Sequence, residues 1–286
     1  MDGRVIAAHG RQYLVELADG ERISCVPRGK KSEIACGDRL EVERSSDNQG
    51  VINAIAPRTS LLYRSNDTRQ KLIAANVDQV VIVVATEPGF SDELVTRALL
   101  AAESEEIEPL IVLNKCDLTD KLEAARERLA IFAELGYRTL ELSARQHADD
   151  LRPFLQSCIS VLVGQSGMGK STLVNALVPQ AHAATREISA ALDSGKHTTT
   201  HATLYHLDAE SDLIDSPGLQ EFGLGHLDRQ EIEHAFPEFR AHVGQCRFRD
   251  CRHDQEPDCA LVASVNAGKI DKRRFAIYHR IVASIR

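Results

Sequence analysis

The residues Ile159-Ser160-Val161-Leu162-Val163 run without a break into Gly164-Gln165-Ser166-Gly167-Met168-Gly169-Lys170-Ser171, and Thr172-Leu173-Val174-Asn175-Ala176-Leu177 follows. A short apolar run, a glycine-rich turn and a helical start, in that order, make a strand–loop–helix unit suited to phosphate. Gly164 and Gly169 let backbone N–H groups turn inward, and the helix N-terminus adds the positive end of its dipole. Lys170 is expected to set its ammonium on the β and γ oxygens of a nucleotide, and Ser171 to ligate Mg²⁺. The loop residues Gln165, Ser166, Gly167 and Met168, with Thr172 beyond, complete the expected contact set. The alternative is an accidental glycine-rich turn. Average residue frequencies produce the pattern in only about 1% of chains of this length, before the flanking strand and helix are required.

Upstream, Val80-Val81-Ile82-Val83-Val84-Ala85 and Leu110-Ile111-Val112-Leu113 are continuous apolar runs. Such runs suit strands buried on both faces of a parallel sheet. Helical spacing over Asp92 to Glu103 and Lys121 to Leu135 gives an α/β pattern. The second strand ends in Asn114-Lys115-Cys116-Asp117. The Asp117 carboxylate can accept from guanine N1–H and the 2-amino group, donors that adenine lacks there, and a buried acceptor left unpaired is costly. Asn114 can donate toward the N7/O6 side, and Lys115 can lie along the base. Ser143-Ala144 after another apolar stretch is a weaker match to a loop offering a backbone N–H to O6. The expected ligand is therefore GTP.

Downstream, Asp212-Leu213-Ile214-Asp215-Ser216-Pro217-Gly218 reads as a strand ending in DxxG. Asp215 can hold Mg²⁺ through water, and the Gly218 N–H can touch the γ-phosphate. Between this and the phosphate loop lies Gly195-Lys196-His197-Thr198-Thr199-Thr200-His201, read as a switch loop. Thr198 and Thr199 are equal candidates for the remaining Mg²⁺ ligand. Leu219 follows DxxG where many GTPases place a water-orienting glutamine. His197 is the nearest replacement, with a surface loop histidine as the alternative. The motifs run 114, 143, 164, 198, 215, where conventional GTPases begin with the phosphate loop: a circular permutation. It moves the new chain end beyond the DxxG switch, so the C-terminal module is expected to be the output.

That module carries Cys246, Cys251, His253 and Cys259 in the spacing C-x4-C-x-H-x5-C. Three thiolates and an imidazole satisfy tetrahedral Zn²⁺ with no open position, a structural site. His242 is a possible substitute ligand. A helical module read as poor in aromatics would owe much of its stability to the ion. At the other end, the first ~55 residues alternate apolar and polar with regular turns, the pattern of a small closed β-barrel. Pro57 marks its end. The expected division is 1–60 barrel, 61–226 permuted GTPase domain and 227–286 zinc module.

The 286 residues carry 34 Lys and Arg against 42 Asp and Glu, a net charge of −8, which argues against coating nucleic acid by bulk charge. Local patches remain: Arg28, Lys30 and Lys31 on the barrel, and Lys269, Lys272, Arg273, Arg274 and Arg280, the latter equally readable as a solvated helix face. No signal-like segment and no apolar run of membrane length is read, so the cytosol is expected, where seven cysteines suit metal ligation or buried thiols.

Taken together, the chain resembles the bacterial ribosome small-subunit-dependent GTPase A family. The resemblance rests on Cys25-Val26-Pro27-Arg28-Gly29-Lys30, Ala75-Asn76-Val77-Asp78-Gln79, the permuted NKCD and GQSGMGKS motifs, His197-Thr198-Thr199-Thr200, DSPG and the zinc spacing. It implies an OB-fold, a permuted GTPase domain and a zinc module. It also implies binding to the 30S subunit and its 16S rRNA, a part in late subunit maturation, and GTPase activity stimulated by the subunit. A histidine at the position of His197 is implicated in hydrolysis there. Lys196 stands where the family pattern suggests arginine. A monomer with no membrane association is expected. Competing readings are a nucleotide-gated adaptor that barely hydrolyses, and a P-loop kinase or ATPase, which Asp117 disfavours.

Overall fold

The computed structural model describes residues 1–29, 33–66, 69–179, 181, 202–216 and 222–285. Five strands of the N-terminal segment close on themselves: β1 (Asp2–His9), β2 (Gln12–Leu17), β3 (Arg22–Pro27), β4 (Arg39–Ser46) and β5 (Gln49–Ile55). Their order is β1-β2-β3-β5-β4, and β4 pairs back onto β1, so no edge is left open. Alternation supplies the interior. Val5, Val15, Ile23, Val42 and Ile52 point inward and pack into one cluster.

A hairpin follows, β6 (Leu61–Asn66) with β7 (Arg69–Ala75), where sequence reading assigns no element. The sequence is polar without a break over the eight residues from Arg64 to Lys71, which hides the period-2 signal. The parallel sheet then takes shape. β8 (Gln79–Ala85) is buried at every position, as its unbroken apolar run requires. Beside it lie β9 (Glu108–Asn114), β10 (Arg138–Glu141), β11 (Ile159–Val163) and β13 (Asp212–Asp215), in the order β10-β9-β8-β11-β13, all parallel. β12 (Thr203–His206) adds antiparallel to β13 and also touches β1 of the barrel at Ala7 and Thr203. Barrel and GTPase sheet are thus one continuous eleven-stranded sheet across that seam.

The register decides where the chemistry sits. Ala85 lies opposite Asn114, Glu141 opposite Leu113, Val163 opposite Ile82 and Asp215 opposite Leu162. All five parallel strands therefore end at one edge, where ligands of open α/β sheets bind. Helices α1 (Asp92–Ser104), α2 (Leu122–Glu134) and α3 (Lys170–Leu177) accompany this sheet. Ser91 caps α1, its side chain accepting from the Leu94 N–H.

The C-terminal module contains α4 (Arg229–Ala235), α5 (Ala260–Asn266) and α6 (Lys272–Ser284). Asp228 and Glu231 cap α4 reciprocally. The module is richer in aromatics than its composition suggested. Phe236 stacks on Phe239 at 4.6 Å, and Tyr278 meets both edge-on at 5.7 and 5.2 Å. It docks on α1 through charge: Arg240 to Glu103 at 2.6 Å and Arg280 to Glu93 at 2.8 Å. Arg274, expected among surface bases, is only 1% exposed. Its guanidinium donates to Glu238 at 2.7 Å and to Thr96 Oγ1 at 2.9 Å, and lies 4.7 Å from the Phe236 ring. No helix among the described residues is long and apolar enough to cross a membrane.

Arg274→Ala is expected to leave Glu238 buried without its partner and to destabilise the protein by about 3–5 kcal/mol. The double variant Arg274→Met/Glu238→Leu should recover most of that loss. Urea unfolding followed by circular dichroism measures both.

Candidate nucleotide site and metal centre

Three loops meet at the strand edge, and one side chain joins them. Asn114 is 1% exposed. Its Nδ2 donates to the Met168 carbonyl at 2.8 Å, which ties the phosphate loop to the end of β9. Its Oδ1 accepts from the Lys115 and Ala144 amides, both at 2.8 Å, which ties in the loop after β10. The structure thus brings Asn114, Lys115, Ser143 and Ala144 against residues 164–170, although these segments are far apart in sequence. Asn114 Nδ2 carries two N–H groups, and the one not directed at Met168 stays available for the N7 side of a purine.

The phosphate loop has the conformation its glycines permit. Gly164, Gly167 and Gly169 all have positive φ, at 145°, 83° and 94°. A Cβ on Gly169 would be driven into the Asn114 amide nitrogen, and one on Gly164 into the Val83 carbonyl. Lys170, 7% exposed, folds its ammonium onto the carbonyls of Gly164 (2.7 Å) and Gln165 (3.0 Å). Burial lowers its pKa, and the Asp215 charge opposes that shift. Asp215 at the end of β13 is also buried. Burial pushes its carboxyl up to about 6, with Lys170 pulling the other way. Ser171 and Thr172 stand exposed at the start of α3.

On the base side, Asp117 is exposed at the mouth of the loop. Lys115 holds a left-handed conformation, φ 62°, and its Nζ donates to the Glu87 carbonyl at 2.7 Å. Thr86 Oγ1 donates to the Lys115 carbonyl at 3.0 Å, and Gln165 Oε1 accepts from the Ser91 amide at 2.9 Å. The turn at residues 86–91 is therefore part of the pocket wall, which sequence reading did not anticipate. Its one signal was a polar Thr-Glu-Pro-Gly directly after an apolar strand. Ser143 Oγ is buried with no partner among the described residues, a polar atom left for a ligand at the base end.

This geometry fits a nucleotide: a backbone cradle, an ammonium that can exchange loop carbonyls for phosphate oxygens, and an exposed carboxylate at the far end. The carboxylate of Asp215 and the hydroxyl of Ser171 are hard oxygen donors of the kind Mg²⁺ takes. His197, Thr198, Thr199 and Gly218 lie outside the described residues.

The cysteines converge as their spacing implied. The donor atoms of Cys246, Cys251, His253 and Cys259 all lie within 4.8 Å of one another. Cys246 Sγ and Cys259 Sγ are 3.8 Å apart, and His253 Nδ1 is 3.5 and 3.3 Å from them. Four ligands held tetrahedrally at ~2.3 Å for sulfur and ~2.0 Å for nitrogen require separations of about 3.5–3.8 Å. The set fits a zinc ion. His253 turns its other nitrogen, Nε2, to Glu233 at 3.3 Å. Glu233 also accepts from Tyr278 OH (2.7 Å) and Arg229 Nε (2.9 Å). Burial raises the Glu233 pKa, but these partners hold it below the usual glutamate value. An ionised carboxylate behind the imidazole orients it and raises its basicity as a ligand. His242 bonds Ser264 instead and stands outside the cluster.

Gly169→Ala is expected to weaken nucleotide binding while the sheet stays folded. A non-glycine residue forced to this φ costs about 1–3 kcal/mol, or roughly 5- to 150-fold in affinity. Titration with a fluorescent GTP analogue reads it directly.

Comparison with known proteins agrees with this geometry. The model of the RsgA GTPase family matches residues 55–225. A protein of Nitrosospira multiformis named small ribosomal subunit biogenesis GTPase RsgA is 52% identical over 99% of this chain and 90% of its own length. One of Burkholderia pseudomallei with the same name is 56% identical over 98% of this chain and 91% of its own. Among solved structures, YjeQ from Thermotoga maritima superposes with a TM-score of 0.72 at 32% identity, covering 99% of this chain and 98% of that one. YloQ, described as a circularly permuted GTPase, superposes at 0.69 with 27% identity over 99% of this chain and 94% of its own. The superpositions extend over nearly the whole chain, and the chain is a GTP hydrolase that belongs to the RsgA GTPase family.

Proposed function

We propose that this GTPase acts in the biogenesis of the small ribosomal subunit, binding the 30S particle and its 16S rRNA. The particle would stimulate GTP hydrolysis, in a late maturation step, by a monomer in the cytosol. The relatives named as small ribosomal subunit biogenesis GTPases support the subunit as partner. The single observation that carries the enzymatic side is the Asn114 carboxamide, which makes one pocket of the phosphate loop and the base-reading loops. The working division is residues 1–60 for RNA contact, 61–226 for the nucleotide and 227–286 for a module built on one structural zinc.

In that pocket Lys170 gives up the Gly164 and Gln165 carbonyls and engages β- and γ-phosphate oxygens. Backbone amides of residues 164–169 neutralise the remaining charge, and the dipole of α3 points at it. Asp117 accepts from the guanine edge, Lys115 covers the base and the Ala144 loop closes the O6 side. Mg²⁺ would supply charge neutralisation between the β and γ oxygens. Ser171, Asp215 and a switch threonine, Thr198 or Thr199, would hold it. Gly218 would touch the γ-phosphate. Water attacks the γ-phosphorus and the bond to the β–γ bridging oxygen breaks, giving GDP and phosphate. His197 is the group proposed to orient that water.

Asp117→Asn should lower GTP affinity by about 100-fold or more, because a guanine donor then meets an amide N–H. The same variant should gain affinity for xanthosine triphosphate, whose 2-oxo group accepts where guanine donates. Competition binding with the two nucleotides decides it.

Asp215 sets a pH dependence. Its carboxyl is raised from the ordinary 3.8 to about 6 in the folded protein. Burial therefore favours the neutral acid, and its contribution to stability falls as pH rises from about 4 to 6. A cation needs the ionised form. The Mg²⁺ concentration for half-maximal turnover should rise about tenfold per unit as pH drops below about 6, measured by Mg²⁺ titration at fixed GTP.

Metal analysis should return about one zinc per chain. Cys259→Ser should lose it and lower the melting temperature by several degrees.

A further inference from the structure

Barrel and GTPase sheet share a seam at which Ile6, Leu14 and Cys36 of the N-terminal segment pack into the GTPase core and the Ala75 amide donates to the Cys36 carbonyl at 2.9 Å. The strands β1 and β12 meet at one residue pair, Ala7 and Thr203. Side chains reinforce it. His206 at the end of β12 directs Nδ1 to Asp212 Oδ1 at 2.6 Å and Nε2 to Glu16 Oε1 at 2.7 Å. Glu16 belongs to β2 of the barrel, and Asp212 begins β13 of the GTPase sheet. The other Asp212 oxygen meets Arg4 of β1 at 2.5 Å, and the other Glu16 oxygen meets Arg22 of β3 at 2.9 Å. Charges therefore alternate Arg22, Glu16, His206, Asp212, Arg4, and two contacts in this chain cross between the two bodies.

Chemistry fixes the state of the ring. Ionised carboxylates only accept hydrogen bonds, and a neutral imidazole has one N–H. Both nitrogens can be satisfied at once only in the imidazolium. The hydrogen bond to Asp212, then the charges of Glu16 and Asp212, raise the His206 pKa against its partial burial. Asp208, in the turn between β12 and β13, and the Cys36 thiol of the barrel lie in the same field as Asp212. Arg4 and Arg22 offset the two seam carboxylates from the barrel side.

The seam also lies in line with the catalytic edge. His206 and Asp212 are register partners in β12 and β13. Asp215 ends the same four-residue strand, roughly 10 Å from Asp212 at ~3.3 Å per residue, beside Leu162 of the strand that enters the phosphate loop. The strand is paired on both sides, with β11 and β12, so Asp212 and Asp215 are held in one ladder.

We propose that His206 is a positioning residue for GTP hydrolysis, an imidazolium pin that couples the barrel to the strand carrying Asp215 and so transmits subunit contact to the nucleotide site. Coupling of this kind is reciprocal: GTP in the pocket strengthens barrel engagement by the factor by which engagement favours the GTP-ready strand. The inference rests on the reading that the barrel contacts the subunit.

The test is steady-state GTP turnover of the full-length protein with and without purified 30S particles, from pH 6 to 9. In the wild-type protein the stimulation is greatest below about pH 6.5, the ordinary imidazole value, and falls as pH rises through the raised value of His206. Glu16→Gln removes the acceptor charge on the barrel side alone. It should keep basal turnover and the KM for GTP within about twofold and reduce the stimulation at least about fivefold. His206→Lys keeps the charge across the range and should retain stimulation with a flat pH profile. His206→Gln should lose it. Wild-type stimulation and pH dependence in both Glu16→Gln and His206→Gln would overturn the proposal. Should His206→Gln fail to fold, Glu16→Gln and His206→Lys decide the matter. If the wild-type protein neither binds 30S particles nor responds to them, the subunit reading itself has failed, a result distinct from loss of coupling.

Discussion

The nucleotide pocket depends on one buried carboxamide. Asn114 donates to the phosphate loop and accepts from the two base-side loops, so that three segments share a fixed geometry before any ligand arrives. A carboxamide is suited to this because it offers donor and acceptor on one planar group without charge. An aspartate there would lack the donor for Met168, and a leucine would leave two amides and a carbonyl unpaired in a dry site. Gly169 is bound to the same constraint, since its missing Cβ is what lets the Asn114 nitrogen approach.

Around that staple the sheet explains why permutation leaves function intact. Five parallel strands end at one edge, and each contributes the loop that follows it. The order in which the chain visits those strands does not affect the edge. It affects what is attached next. Here the strand bearing Asp215 continues toward the zinc module, and the strand beside it touches the barrel. Both neighbours therefore connect to the part of the sheet that carries Asp215, one by chain continuity and the other by strand pairing. The C-terminal module is also fixed to α1 by the partly exposed pairs Arg240–Glu103 and Arg280–Glu93 and by the buried hydrogen bond from Arg274 to Thr96, so it has two routes to the pocket.

The Cys3His cluster and aromatic packing meet in that module. The Cys246–Cys259 spacing suits a tetrahedral ion, and His253 leans on Glu233, which Tyr278 and Arg229 hold in turn. Tyr278 belongs at the same time to the ring cluster with Phe236 and Phe239. Metal site and apolar core are consequently one structure. A perturbation of either should be felt in both, and in the contact with α1 through Arg274, which touches Phe236 and Thr96.

Much of this was readable in the chain itself. The strands of the barrel and sheet follow from period-2 alternation or unbroken apolar runs, because the pleat alternates sides and a sheet covered on both faces excludes polar residues. The phosphate loop, the base-reading tetrapeptide and the zinc spacing are local patterns whose chemistry needs those residues at those intervals. Tertiary structure decided what depends on distant partners. Arg274 reads as a surface base, yet Glu238 and Thr96 bury it. Asn114 reads as a base contact, and only the folded chain shows that it also staples loops. Glu233 carries no local signature of its role and the turn at 86–91 only its polar Thr-Glu-Pro-Gly, and the Arg4–Asp212 and Glu16–His206 contacts span some 200 positions. Local sequence specifies backbone preference and donor chemistry; which donors meet is set only when the sheet closes and the packed helices choose their neighbours.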